Sequence, residues 1–124
     1  MTIAFWCVLI AGLLPYVATL TAKLGARAYD NANPREWLAS QSGYRRRANA
    51  AQQNAFEAFP LFAAAVIVAQ LTGAPQARVD LLAVAFIFAR VLHFALYLAD
   101  LATMRSLAWL VGFGCAMAIF VAGA

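Results

Sequence analysis

The chain has 124 residues, of which 65% are hydrophobic and 11% charged, with a formal net charge of +4 and a mean hydropathy of +0.77. A water-soluble domain is nearer half apolar and a quarter charged, so this composition excludes a soluble globular fold and implies an integral membrane protein. The charges cluster between apolar segments, as topology signals do, which argues against nucleic acid as a partner.

The first apolar segment covers residues 2–22 and stays apolar from Ile3 to Leu20 with no basic residue ahead of it. A signal peptide has a shorter apolar core and a basic start, so this segment is read as a retained span. Pro15 should bend it. Residues 23–47 form the long connection. Within it, Asn33-Pro34-Arg35-Glu36 places Asn at a cap and Pro at the first helical position, which predicts a short surface helix to about Ser40. Further spans are expected at 48–72, 79–99 and 106–122. Each is near the ~20 residues that cross ~30 Å of hydrocarbon as a helix. The joins between them, 73–78 and 100–105, are short. The fold class is therefore all-α: one four-transmembrane-helix bundle over residues 1–124.

Lys23, Arg27, Arg35, Arg45, Arg46 and Arg47 fall in the first connection and Arg105 in the third, against Arg78 in the second. The positive-inside bias places loops 23–47 and 100–105 in the cytoplasm and both termini on the opposite side. Cys7 and Cys115 lie in apolar runs without ligand spacing, so no metal site is expected.

The second and third spans carry polar residues. Ala58 to Leu71 alone gives ~21 Å of helix, so about six more residues, Gln52 to Glu57, are expected below the membrane surface. Glu57 lies ten residues from Arg47, and Arg90 ten from Asp100, which places Glu57 and Arg90 at one depth. The same counting sets Asn54 level with His93. An unpaired Arg near the midplane costs at least ~2.5–3.5 kcal/mol, so a Glu57–Arg90 ion pair is expected, within or between subunits. Its role is open between a structural clamp and a site. Arg47, Ala50, Asn54 and Glu57 form one stripe, and Arg90, His93 and Tyr97 another. Together they suggest a wet groove open to the cytoplasm. His93 is also read as a packing residue, and Tyr97 as an interfacial anchor.

The run Gln52-x-Asn54-x-x-Glu57-x-x-Pro60-Leu61-Phe62, behind its basic cluster, resembles the second-helix motif of the MAPEG family. These are membrane-associated proteins in eicosanoid and glutathione metabolism. The four spans and single long loop match along the whole chain. Asn33-Pro34-Arg35-Glu36 and the segment from Tyr97-Leu98-Ala99-Asp100 to Arg105-Ser106 are similar to the small bacterial branch, which implies a bacterial inner membrane. The resemblance implies a homotrimer with glutathione as co-substrate, held between subunits near the cytosolic face. Carried over, it assigns glutathione binding to Gln52, Asn54, Glu57, Arg90 and Tyr97, and thiol activation to Arg105; His93, on the Arg90 stripe, and Arg47, a basic residue able to substitute for a missing one, are added as candidate contacts. A guanidinium favours the thiolate nucleophile.

The sequence departs from the family at several points. Ala50 stands where a glutathione-binding Arg is usual, Ala58 replaces a Tyr, His93 replaces a Tyr, and Arg105 aligns with a one-residue shift that brings Met104 to the unshifted position. One missing Arg removes ~1.5–3 kcal/mol of carboxylate contact, roughly tenfold or more in affinity. Two functions stay open. One is a glutathione transferase or peroxidase acting on lipophilic electrophiles or lipid hydroperoxides. The other is a non-enzymatic module that binds membrane lipid or a protein partner in the groove. A transporter is disfavoured, because the spans offer no evident ion path.

Overall fold

A computed structural model describes residues 1–124 as an all-helical chain. Its helices are α1 (Ile3–Lys23), α2 (Pro34–Ala39), α3 (Gly43–Leu71), α4 (Gln76–Leu98) and α5 (Ala102–Phe120). All but α2 are long and apolar enough to cross a membrane. α1 packs against α3 and α4, α3 also against α4 and α5, and α4 against α5.

Small side chains set this packing. In α1 the buried residues are Ala4, Cys7, Ala11, Pro15, Ala18 and Ala22, at helical steps of three and four. α5 buries Ala108, Gly112, Ala116 and Ile119. Large apolar residues such as Trp6, Leu13, Phe88 and Leu110 are exposed. Lipid tails are as apolar as Leu, so burying Leu gains little in a bilayer. Helices associate instead where small residues let their backbones approach. The main bulky pair within the seams is Phe62 on Phe86, stacked at 3.8 Å and 3°, which locks α3 to α4 at mid-length. α1 runs unbroken through Pro15, and α3 through Pro60.

α3, α4 and α5 begin before the apolar segments that mark them in the sequence and end one or two residues inside them. α3 begins at Gly43 rather than near residue 48, because basic side chains do not interrupt a helix. Its 29 residues give ~43 Å, well beyond ~30 Å of hydrocarbon. α5 begins at Ala102, so Arg105 lies near the helix start and not in a loop. The join before it is tight. Asp100 takes a left-handed conformation, φ 60°, and the Leu101 N–H donates to the Leu96 carbonyl at 3.0 Å. Asp is among the few non-glycine residues that tolerate this region.

Asn33 does occupy the position before α2, but its side chain does not cap the helix. Its Nδ2 donates to Asp30 Oδ2 at 3.1 Å, while the Ala32 N–H donates to Asp30 Oδ1 at 2.9 Å. These bonds, the Asn33 side chain's foremost, hold the Asp30 carboxyl below its usual range. Leu38 then anchors α2 against Ala22 and Ala48.

Residues from neighbouring helices satisfy the free ends of α1 and α4. Asp80 Oδ1 accepts the Ala4 N–H at 2.8 Å at the start of α1, and also accepts from Gln76 Nε2 at 2.8 Å. Arg45 donates to the carbonyls of Ala22 and Leu24 at 3.0 and 2.9 Å at the end of α1. Arg47 donates twice to the Leu98 carbonyl, at 3.2 and 3.0 Å, at the end of α4. A cation at a helix C-terminus also meets the negative end of the dipole. Arg47→Ala is therefore expected to destabilise the bundle by about 1–2 kcal/mol, measured as thermal unfolding in detergent. Arg46→Ala, at an exposed position, should be near neutral.

Candidate functional site

A cleft opens between α3, α4 and α5 and has two lobes. The first, the polar lobe, has a volume of about 260 Å³ and is lined by Asn54, His93, Tyr97, Arg105, Ser106 and Trp109. The second, called the apolar lobe although Asn54, Glu57 and Arg90 border it, has about 300 Å³ and is lined otherwise by Ala58, Leu61, Phe86, Trp109, Phe113 and Ala116. Asn54 and Trp109 border both, so the lobes meet between α3 and α5.

Arg90 and His93 are the buried polar side chains of the chain, 4% and 3% exposed. Arg90 Nη2 donates to Asn54 Oδ1 at 2.8 Å. The ion pair expected with Glu57 is thus absent within the chain, and Asn54 takes its place. Helix rotation gives the reason. From Arg47, seven residues bring α3 back to within about 20° of its starting direction, so Asn54 faces α4 as Arg47 does. Ten residues leave Glu57 about 80° away, exposed on the rim of the cleft. The arginine stem then reaches one turn along α3 to its partner. Gly112 of α5 lies beside that stem: a methyl group added there would meet Arg90 Cδ at 3.5 Å and Ala89 Cβ at 3.6 Å, ordinary van der Waals contact.

In the polar lobe, the Arg105 guanidinium lies over the Tyr97 ring, 4.2 Å from its centroid. The His93 ring meets Tyr97 edge to face at 5.4 Å. The Ser106 hydroxyl donates to the Ala102 carbonyl at 3.1 Å, which leaves its oxygen free to accept. Arg105 is held by a π face, so its charge is not neutralised by a carboxylate.

The structure thus gathers Asn54, Glu57, Arg90, His93, Tyr97 and Arg105 around one cleft. It does not bring Arg47 or Gln52 there. Arg47 spends its guanidinium on the Leu98 carbonyl, and Gln52 lines neither lobe. Sequence reading missed the α5 wall. Ser106, Trp109 and Phe113 follow i, i+3, i+7, a stripe that was legible but hidden in a span read only for its hydropathy. No group of residues suited to a metal ion is present.

A family model described as MAPEG family matches residues 3–124. No curated protein and no solved structure matches the chain.

Proposed function

Because the chain belongs to the MAPEG family, we propose that it is a glutathione-dependent membrane enzyme, assembled as a homotrimer with its basic face in the cytoplasm. The polar lobe holds glutathione and the apolar lobe holds a lipophilic electrophile or hydroperoxide. Asn54, His93 and Tyr97 contact the peptide within the polar lobe, Glu57 and Arg90 reach it from the adjoining lobe, and Arg105 favours its thiolate. The thiol proton passes to solvent, and the sulfur attacks the electrophilic carbon with loss of the leaving group. With a hydroperoxide, the thiolate takes the terminal oxygen as the O–O bond breaks and the alcohol leaves with a proton from solvent; a second glutathione then displaces water from the sulfenic acid to form the disulfide.

The position of Arg105 carries this reading. It lies near the start of α5, in a polar cleft, with only a π face against it. A cation near a helix N-terminus is disfavoured by the dipole. An anion in the cleft is stabilised by both. Millimolar glutathione added to the purified protein is expected to produce a thiolate difference band in the ultraviolet. A flat difference spectrum overturns the proposal.

One observation favours the second reading, a non-enzymatic module that binds lipid or a protein partner. Arg47, an arginine available to replace the family residue lost at Ala50, is committed to α4, and Ala58 contributes only a methyl group to the apolar lobe. Co-purifying lipid in the cleft together with a flat thiol spectrum would establish that reading.

A further inference from the structure

A second concavity lies between α4 and α5 and shares no residue with the cleft. We infer that it is a lipid site: it takes one acyl chain of a phospholipid that carries a primary amine, with the headgroup resting on the α4–α5 turn. The inference stands apart from the glutathione reading. The groove holds about 700 Å³, and every residue that lines it is apolar. Ala85, Ala89 and Ala108 leave a depression between Leu92, Leu107 and Val111, which stand exposed beside them.

Length identifies the occupant. On α4 the groove runs from Ala85 to Leu96, eleven helical steps or ~16 Å, about half of the ~30 Å of hydrocarbon. Its shallow end lies at Leu96 and Met104, two residues before the end of α4 and two after the start of α5. Arg47 meets this same end of α4, so the groove opens at the membrane surface that bears the basic cluster. It then runs inward to about the midplane, the reach of a chain in one leaflet. A helix of a second copy crosses the whole thickness and would leave half its length unmatched.

The turn above the shallow end selects the headgroup. Lipid tails are as apolar as Leu, so seating one against these side chains gains little over the bilayer itself. The choice among lipids falls to polar contacts. The Leu101 N–H donates to the Leu96 carbonyl at 3.0 Å, which folds the turn over the end of the groove. Asp100 is exposed in that turn, and its carboxylate suits an ammonium. Leu101 gives α5 no side-chain cap, so the first N–H groups of the helix are open to a phosphate oxygen. A headgroup with both phosphate and amine matches both. An anionic headgroup without an amine sets its charge beside Asp100 with nothing to offset it.

The experiment places the full chain in nanodiscs of equal parts phosphatidylethanolamine and phosphatidylglycerol with identical acyl chains. Native mass spectrometry then counts the lipid retained per chain. Phosphatidylethanolamine is expected to exceed phosphatidylglycerol by about two- to fivefold, the range of one exposed ion pair. Asp100→Asn should bring the two towards parity without disturbing the turn, because Asn also tolerates the left-handed region. Ala85→Phe fills the deep end and should remove most of the retained lipid of both kinds. Leu20→Phe, at an exposed position of α1, should remove none. The count is made on intact protein, so poor folding of a variant lowers its yield and not its lipid per chain. A photoreactive side chain placed at Leu92 should label lipid. Labelling of a second chain instead, equal retention in Ala85→Phe and Leu20→Phe, or a headgroup preference that is absent or unchanged in Asp100→Asn overturns the inference.

Discussion

Replacing Arg105 by Ala is expected to lower glutathione turnover by about 10²–10³-fold, the loss typical of removing one donor aimed at developing charge. A thiolate in the polar lobe would face this guanidinium and the Tyr97 ring beneath it. Removing the cation raises the thiol pKa of bound glutathione, because the charged form loses its nearest opposite charge. The acid limb of the pH–rate profile should therefore move up by about one unit or more. Arg105→Lys keeps the charge but loses the planar surface that rests on Tyr97, and should recover part of the rate. Binding and activation separate in this variant. Tyr97, His93 and Asn54 remain in place, so glutathione affinity should fall much less than turnover. Equal losses in both would make Arg105 an affinity contact and remove its proposed part in thiol activation.

Asn54→Leu is expected to destabilise the bundle by about 1.5–3 kcal/mol, the range for a hydrogen bond to a charged group. Arg90 is 4% exposed, and its bond within the chain is to Asn54 Oδ1. With that oxygen gone, the guanidinium has no partner in the protein. Arg90→Leu in the same background should recover much of the loss, because replacing both members of a buried polar pair by apolar groups is often neutral. The double-mutant cycle, read by thermal unfolding in detergent, should give a coupling of about 1–3 kcal/mol. A coupling near zero would mean that Arg90 finds another partner, with Glu57 of a neighbouring subunit the first to test. Activity should not recover in the double mutant, since both side chains line the cleft.

These two residues also show how far the sequence can be read. The membrane class and the helical bundle are visible in composition and span length, because hydrocarbon leaves few alternatives for a backbone. Helix ends are less visible. Hydropathy marks where a chain is apolar, not where it is helical, so it leaves the first turns of α3 and α5 in loops. Arg105 falls in a loop by hydropathy and on α5 in the structure. The site was legible in its members and not in its bonds. Counting residues from the ends gave Glu57 and Arg90 the same depth, yet depth is one coordinate of two. Rotation about the α3 axis turns Glu57 to the rim and Asn54 towards α4. Trp109 and Ser106 were passed over because an aromatic or a serine in an apolar helix carries no signal until the facing helices are in place.

Arg45 and Arg47 join α3 to helices that become available at different points of synthesis. They lie two positions apart on α3, yet one closes the end of α1 and the other the end of α4. During synthesis the earlier segments emerge first. The carbonyls of Ala22 and Leu24 are available to Arg45 as soon as the second span is made, so a hairpin of the first two spans is complete in itself. Arg47 must wait for Leu98, near the end of the third span. Two arginines of one basic tripeptide thus fasten contacts of very different sequence separation: α3 to α1, across 21 and 23 residues, and α3 to α4, across 51.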